Sequence, residues 1–345
     1  MREVQIIAEV GQAHDGSLGN AHAYIDLAAA AGVDVVKFQT HIADAESSVH
    51  EPFRVKFSRQ DETRMDYWRR MEFSLEQWIG LKTHCEDVGV EFMSSPFSVA
   101  AVELLEEVGV KRYKIGSGEV RNFLMLEKIA RTRKPIILSS GMSSYDELDQ
   151  VVDFLGPFGN ELSIMQCTTA YPVPPERTGL NVIPEMIERY DCPVGYSDHS
   201  GTIFPTLAAV TLGAKLIEVH ICLNKEMFGP DTSSSLTPDQ LKHLVEGIRF
   251  IEQSLESPVN KNNNSEYSEL KSIFEKSLAV RRDLPAGHVL TIDDLESKKP
   301  SGYGIPASDY RKVLGERLLS DLNAFDFLTP AHLFSAKLDE LASKD

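Results

Sequence analysis

Short apolar, β-branched runs recur along this chain at intervals of about 20–30 residues, each followed by a stretch with apolar positions at helical spacing. That alternation predicts βαβ units joined into a parallel sheet. Eight runs carry the pattern: QIIAEVG from Gln5, DVVKFQT from Asp34, EFMSSP from Glu91, RYKIGSG from Arg112, PIILSSG from Pro135, SIMQCTT from Ser163, CPVGYSD from Cys192 and LIEVHIC from Leu216. Eight units closing near residue 255 match the ~250-residue size of a (β/α)8 or TIM barrel.

The intervening segments read as helices. NAHAYIDLAAAAG ends at Gly32, and SLEQWIGLKTHCEDVG opens on a Ser cap and ends at Gly89. The stretch from His50 to Glu72, rich in charges and aromatics, reads as an extended loop over the barrel mouth. From Glu256 to Ser268 the sequence ESPVNKNNNSEYS has almost nothing to bury, which marks a linker. The expected organisation is therefore a catalytic barrel over 1–255, a linker over 256–268 and a small β-rich module over 269–345. A unit of that size is marginal alone and is expected to pack on something.

Composition narrows the function classes. A formal net charge of −17 opposes nucleic acid as a partner, because such binding draws its affinity from Lys and Arg neutralising phosphates. No apolar run approaches the roughly 20 residues of a membrane span, and the start MREVQIIAEVG lacks a signal-peptide pattern, so the expected location is the cytoplasm. Cys85, Cys167, Cys192 and Cys222 are widely spaced and read as reduced, packed thiols.

In a TIM barrel the active site forms at the carboxyl ends of the strands, so polar residues there are the functional candidates. Alternation along DVVKFQT turns Lys37 and Gln39 inward, where an ammonium needs an anion, whether a ligand or an internal partner such as Glu9 or Glu119. Lys114 precedes Gly-Ser-Gly-Glu, whose Ser117 offers a hydroxyl and an N–H to an oxyanion. Ser139 and Ser197 add hydroxyls at neighbouring strand ends. His199 and His220 end adjacent strands, close enough to share one metal ion, and Glu218 lies on the His220 face to ligate or orient it.

The ordered motifs EVGQAHDGSL, VVKFQTH, SSPFS, KIGSGE, ILSSGM, CTTAYP, VGYSDHSG, IEVH and GPD resemble those of the N-acetylneuraminate (sialic acid) synthase family, and the tail resembles its antifreeze-like (SAF, β-clip) domain. The resemblance covers nearly the whole chain. It implies condensation of phosphoenolpyruvate with N-acetylmannosamine or a related diacetamido sugar, releasing phosphate and helped by Mn2+ or Mg2+. Carried over position by position, it implies His199 and His220 as metal ligands and Lys37, Ser95, Lys114, Ser117, Ser139 and Ser197 around phosphoenolpyruvate. Glu9 and Glu119 match the catalytic carboxylates, and Gln39, Tyr171 and Asp231 match positions at the sugar.

Departures from the family pattern are Ala13 for an Asn, Val219 for a basic residue, Thr169 for an Asn found in some members, and Lys299 for an Arg. In the family that Arg reaches the N-acetyl group from a partner's SAF domain, which implies a domain-exchanged homodimer. The rival readings are a pseudaminate synthase and another phosphoenolpyruvate-dependent 3-deoxy sugar acid synthase. The latter, acting on a phosphorylated aldose, needs an extra basic pocket, for which Arg54, Lys56 and Arg64 are at hand. A third rival is a non-catalytic sugar-binding barrel.

Overall fold

The computed structural model describes residues 3–55 and 57–334; Lys56 and the last residues of the tail, 335–345, lie outside the described residues. The chain divides into two compact units, Met1–Ser257 and Pro258–Asp345.

The first unit is a closed, all-parallel barrel of eight strands in sequence order. These are β1 Gln5–Gly11, β2 Val35–Thr40, β3 Glu91–Pro96, β4 Tyr113–Ile115, β5 Ile136–Ser139, β6 Leu162–Cys167, β7 Val194–Asp198 and β8 Leu216–His220. Closure comes from β8 pairing with β1, with Glu9 opposite His220. The (β/α)8 fold expected from the apolar periodicity is the one observed.

Two apolar layers hold the barrel. Residues such as Ile6, Ala8, Val36 and Phe38 face outward into the core beneath the helices. Residues of the other parity, Ile7, Val35, Met93, Ile137, Met165 and Leu216, fill the barrel's interior. Each such side chain contributes about 1.5–3 kcal/mol by leaving water. One pleat further along several of the same strands the inward positions become Glu9, Lys37, Ser95, Ser139, Cys167, Ser197 and Glu218, all buried. The polar layer therefore sits directly above an apolar floor, at the carboxyl ends.

The segment after β2 departs from the expectation of a bare loop. It contains the helix Arg64–Met71, opened by a capping box in which Thr63 and Asp66 satisfy each other's backbone N–H groups. Tyr67, Trp68 and Met71 fall on one side of it and form a small core with Ala43, against which Phe53 and Phe57 pack. The aromatics that looked like a mouth decoration are thus the buried face of a short helix.

In the second unit the strands β9 Ser277–Val280 and β10 Leu295–Lys298 pair antiparallel, as do β11 Arg317–Leu318 and β12 Leu333–Phe334. Leu278, Val280, Leu290, Ile305, Val313 and Leu328 belong to its own core. The helix Ser268–Phe274 precedes β9, on residues placed at the edge of the expected linker. Among the described residues no helix is long and apolar enough to cross a membrane.

Candidate active site at the carboxyl rim of the barrel

Four charged side chains meet inside the barrel. Lys37 Nζ lies 2.9 Å from Glu9 Oε2 and 3.6 Å from Glu218 Oε1. Lys114 Nζ donates to both oxygens of Glu218 at 2.9 Å. Ser197 Oγ donates to Glu218 at 3.2 Å, and Lys37 donates to Ser95 Oγ at 3.3 Å. Strand register explains part of this, since Glu9 sits opposite Lys37 and Ser197 opposite Glu218. Lys114 on β4 instead reaches across the barrel to β8.

With all four ionised the cluster is electrically balanced, which is how two ammoniums tolerate a dry interior. Burial opposes ionisation of Glu218, yet Lys114 and Lys37 pull its carboxyl down to about 2. Burial likewise works against the Lys37 ammonium, but Glu218 and Glu9 outweigh it and its proton is held more tightly than in water. For Lys114 burial prevails over Glu218, and its proton affinity falls. Burial also prevails at Glu9, whose carboxyl rises above the ordinary range. Glu9 Oε1 accepts from Gln39 at 2.7 Å, while Oε2 has the Lys37 ammonium 2.9 Å away as its ion-pair partner. Glu9 is therefore the member of the cluster that most readily takes a proton.

The two imidazoles stand at the same rim, ring centroids 5.2 Å apart and nearly perpendicular. An ideal Cβ on Gly11 would lie 3.4 Å from Glu9 Oε1 and 3.7 Å from His220 Cε1, which ties the His220 ring to the charged cluster. Burial pushes His220 down to about 4, leaving a neutral ring with a free lone pair. His199 Nδ1 is 3.0 Å from the Thr168 carbonyl, an outer partner that fixes the ring and leaves Nε2 as its donor atom. Cys167 Sγ is 3.8 Å from that Nε2. Burial would lower His199, but Cys167 and the Thr168 carbonyl outweigh it and raise its proton affinity. A pair of oriented imidazoles suits a divalent first-row ion. Among the described residues no third His, Cys, Asp or Glu joins them to complete a cage, so substrate or water oxygens would fill the remaining positions.

Above this layer opens a cavity of about 390 Å³ lined by, among others, Gln39, Ser117, Glu119, Met142, Tyr171 and Asp231. Tyr171 stacks on His199 with centroids 4.1 Å apart. Arg54 covers the other side: its guanidinium carbon is 4.2 Å from the Tyr171 ring centroid, and Nη2 donates to Asp231 at 2.9 Å. Glu119 is half-buried, and burial raises its carboxyl despite a hydrogen bond from Asn122 at 2.8 Å. Ser117 is pressed close to Gly141, where a Cβ would fall 1.9 Å from the Ser117 hydroxyl.

The structure thus brings together Glu9, Lys37, Ser95, Lys114, Ser197, His199 and His220, with Gln39, Ser117, Glu119, Tyr171 and Asp231 at the mouth and Ser139 buried at the end of β5. Lys299 belongs to the second unit, its ammonium 4.7 Å from the Phe274 ring centroid. The sequence reading of Glu218 as a His220 partner needs correction: its oxygens are engaged by Lys114, Lys37 and Ser197. Cys167 was taken as packing, although its position at the end of β6 was a signal, and Gln12, which donates to Gln39 at 2.5 Å, was given no role of its own. Arg54, read only as part of a pocket for a phosphorylated aldose, pairs with Asp231 instead.

A closed barrel whose carboxyl rim gathers buried ammoniums, carboxylates and two imidazoles has the layout of an enzyme active site. The particular family follows from comparison with known proteins. The NeuB family model matches residues 24–260 and the SAF domain model residues 275–333, so the chain belongs to the NeuB family. It is 36% identical over 322 residues to the N,N'-diacetyllegionaminic acid synthase of Campylobacter jejuni, covering 92% of this chain and 96% of that protein. It is 37% identical over 318 residues to the N-acetylneuraminate-9-phosphate synthase of Homo sapiens, covering 91% and 88%. The solved N-acetylneuraminic acid (sialic acid) synthetase of Leptospira borgpetersenii, in complex with citrate, superposes with a TM-score of 0.68 at 30% identity, covering 78% of this chain and 90% of that one.

Proposed function

We propose that this enzyme condenses phosphoenolpyruvate with an unphosphorylated N-acetylated amino sugar, N-acetylmannosamine or a diacetamido-trideoxyhexose. The products are a nonulosonic acid, N-acetylneuraminate or N,N'-diacetyllegionaminate, and inorganic phosphate. The observation that carries this reading is the convergence of Lys37 and Lys114 with the His199–His220 pair at one rim, under a cavity large enough for a sugar.

In this reading Lys37, Lys114, Ser95, Ser117, Ser139 and Ser197 bind the phosphate and carboxylate of the enol phosphate. Gln39, Tyr171 and Asp231 orient the sugar, and His199 and His220 would hold Mn2+ or Mg2+, which would supply Lewis-acid polarisation of the aldehyde. C3 of phosphoenolpyruvate bonds to the aldehyde carbon, and the positive charge that develops at C2 is stabilised by Glu9. Glu119, the cavity-lining carboxylate with raised proton affinity, takes a proton from the water that adds at C2. The proton held by Glu119 passes to the alkoxide on the former aldehyde carbon, and the C2–O bond to phosphate breaks as the C2 hydroxyl gives its proton to the departing phosphate, leaving the ketone.

The lack of a phosphate on the acceptor is argued from charge. The cavity presents Glu46, Glu51, Glu119 and Asp231 against Arg54 and Arg64. Arg54 is engaged by Asp231, and Arg64 Nε is 3.5 Å from Glu51. A sugar phosphate would meet a surplus of carboxylates there. Residues 1–255 are read as the catalytic domain, 256–268 as linker and 269–345 as a SAF domain. That domain presents Lys299 to the partner's sugar in a domain-exchanged cytoplasmic homodimer; light scattering that returned a monomer would refute this assembly.

The deciding experiment is phosphate release from phosphoenolpyruvate with Mn2+ and a panel of acceptors. Turnover is expected with N-acetylmannosamine or the diacetamido sugar. A higher kcat/KM with N-acetylmannosamine 6-phosphate or a phosphorylated aldopentose would overturn the neutral-acceptor reading, and no phosphate release with any acceptor would overturn the enzyme reading.

A further inference from the structure

The helices Leu18–Ala31 and Leu75–Asp87 pack against each other on the outside of the barrel. Between them His22 Nδ1 and His84 Nδ1 are 2.8 Å apart, with ring centroids 4.9 Å apart. His84 Nε2 lies 2.9 Å from Asp26 Oδ1, one turn along the helix from His22. All three side chains are reachable by solvent.

Two imidazole nitrogens at that separation share one proton, because one must donate and the other accept. Asp26 settles which. It takes the Nε2 proton of neutral His84, so His84 Nδ1 is the acceptor and His22 Nδ1 the donor. Burial, and then His84, also hold the proton affinity of His22 below its ordinary value. A carboxylate on one nitrogen of a histidine whose other nitrogen points at a second imidazole is the arrangement that orients histidines on metal ions.

We propose that His22 and His84, oriented by Asp26, form a second divalent-metal site that staples these two helices together. The ion takes the place of the shared proton, with water completing its coordination. Tetrahedral binding at ordinary metal–nitrogen distances sets the two nitrogens about 3.3 Å apart, so the rings separate by about 0.5 Å, a side-chain adjustment. Imidazole donors favour Zn2+, Ni2+ or Cu2+ over the oxygen-seeking Mg2+ and Mn2+. The site is distinct in place from the rim pair, and it does not depend on the reaction proposed above.

The test is calorimetric titration of Zn2+ into the full chain, first stripped with a chelator. Wild type should bind one equivalent more than His84→Gln or His22→Gln, while Asp26→Asn should keep the stoichiometry and weaken that equivalent about 10–100-fold. Zn2+ should raise the thermal midpoint of wild type by a few degrees more than that of either histidine variant. Turnover with Mn2+ should be the same in all four proteins. Equal Zn2+ stoichiometry in wild type and both histidine variants would overturn the site, and an extra equivalent without the added thermal shift would overturn the staple.

Discussion

Replacing Glu218 by Gln removes the one carboxylate that both buried lysines share. Lys114 loses two hydrogen bonds of 2.9 Å to an anion, Lys37 keeps Glu9, and the balanced cluster acquires one net positive charge. Leaving a buried charge without its partner costs about 3–5 kcal/mol. At about 2–4 °C per kcal/mol for a domain of this size, the midpoint of thermal unfolding should fall by about 6–20 °C. The measurement is far-ultraviolet circular dichroism on heating, repeated with saturating inorganic phosphate. Because the variant carries the unmatched positive charge, phosphate should raise its midpoint more than that of wild type. A Glu218→Gln/Lys114→Met double variant should recover most of the loss, since it removes the charge left over. The reasoning would be refuted if Glu218→Gln unfolded at the wild-type temperature, or if Lys114→Met added its own full loss on top.

Other outcomes follow from single contacts. Gly141→Ala puts a Cβ 1.9 Å from the Ser117 hydroxyl and 2.1 Å from its Cβ at a positive φ, so the Ser117 backbone must shift; the unfolding midpoint should fall and KM for phosphoenolpyruvate should rise on the order of tenfold, and unchanged kinetics would remove Ser117 from the anion site. His220→Ala should weaken Mn2+ binding and kcat together, as read by metal titration and phosphate release, and full turnover in the variant would exclude His220 as a ligand. His14 is buried, and burial, with His41 and Arg70, pushes it down to about 3, below its unfolded value of about 6.5. The unfolded chain therefore binds the proton first: stability is complete above about pH 6.5 and declines as pH falls toward 3, by up to about 5 kcal/mol. Urea denaturation across that window should show a shallower decline for His14→Gln than for wild type, and parallel curves would rule the linkage out.

The barrel was legible because its strands are short apolar runs at regular spacing, and the inward parity of Lys37 and Gln39 followed from the pleat. The Lys37–Glu9 contact was within reach for the same reason, since β1 and β2 are neighbours and an internal ammonium must find an anion. Lys114 with Glu218 was not. Those residues lie on β4 and β8, and no local pattern reports which side chains meet across a barrel of eight strands. The contact between Arg54 and Asp231 is hidden for a similar reason, as it joins two loops that share no periodicity. The helix Arg64–Met71 was missed because its charged face was read and its apolar one was not.

These unread contacts determine how the rim works. Sequence alone suggested a positively charged cradle waiting for an anion, but each ammonium already has a carboxylate partner within 3 Å. A balanced cluster keeps both lysines charged in a dry interior and holds them still, at the expense of attraction for an incoming anion. Under the proposed function, an enol phosphate would have to compete with Glu9 and Glu218 for the lysine protons. Glu218 is held ionised, whereas Glu9 is the carboxylate whose affinity for a proton is raised by burial. Under the proposed function, yielding at Glu9 and holding at Glu218 would give the site an anion-binding state that keeps Lys114 in place, which is the division of labour the Glu218→Gln variant would remove.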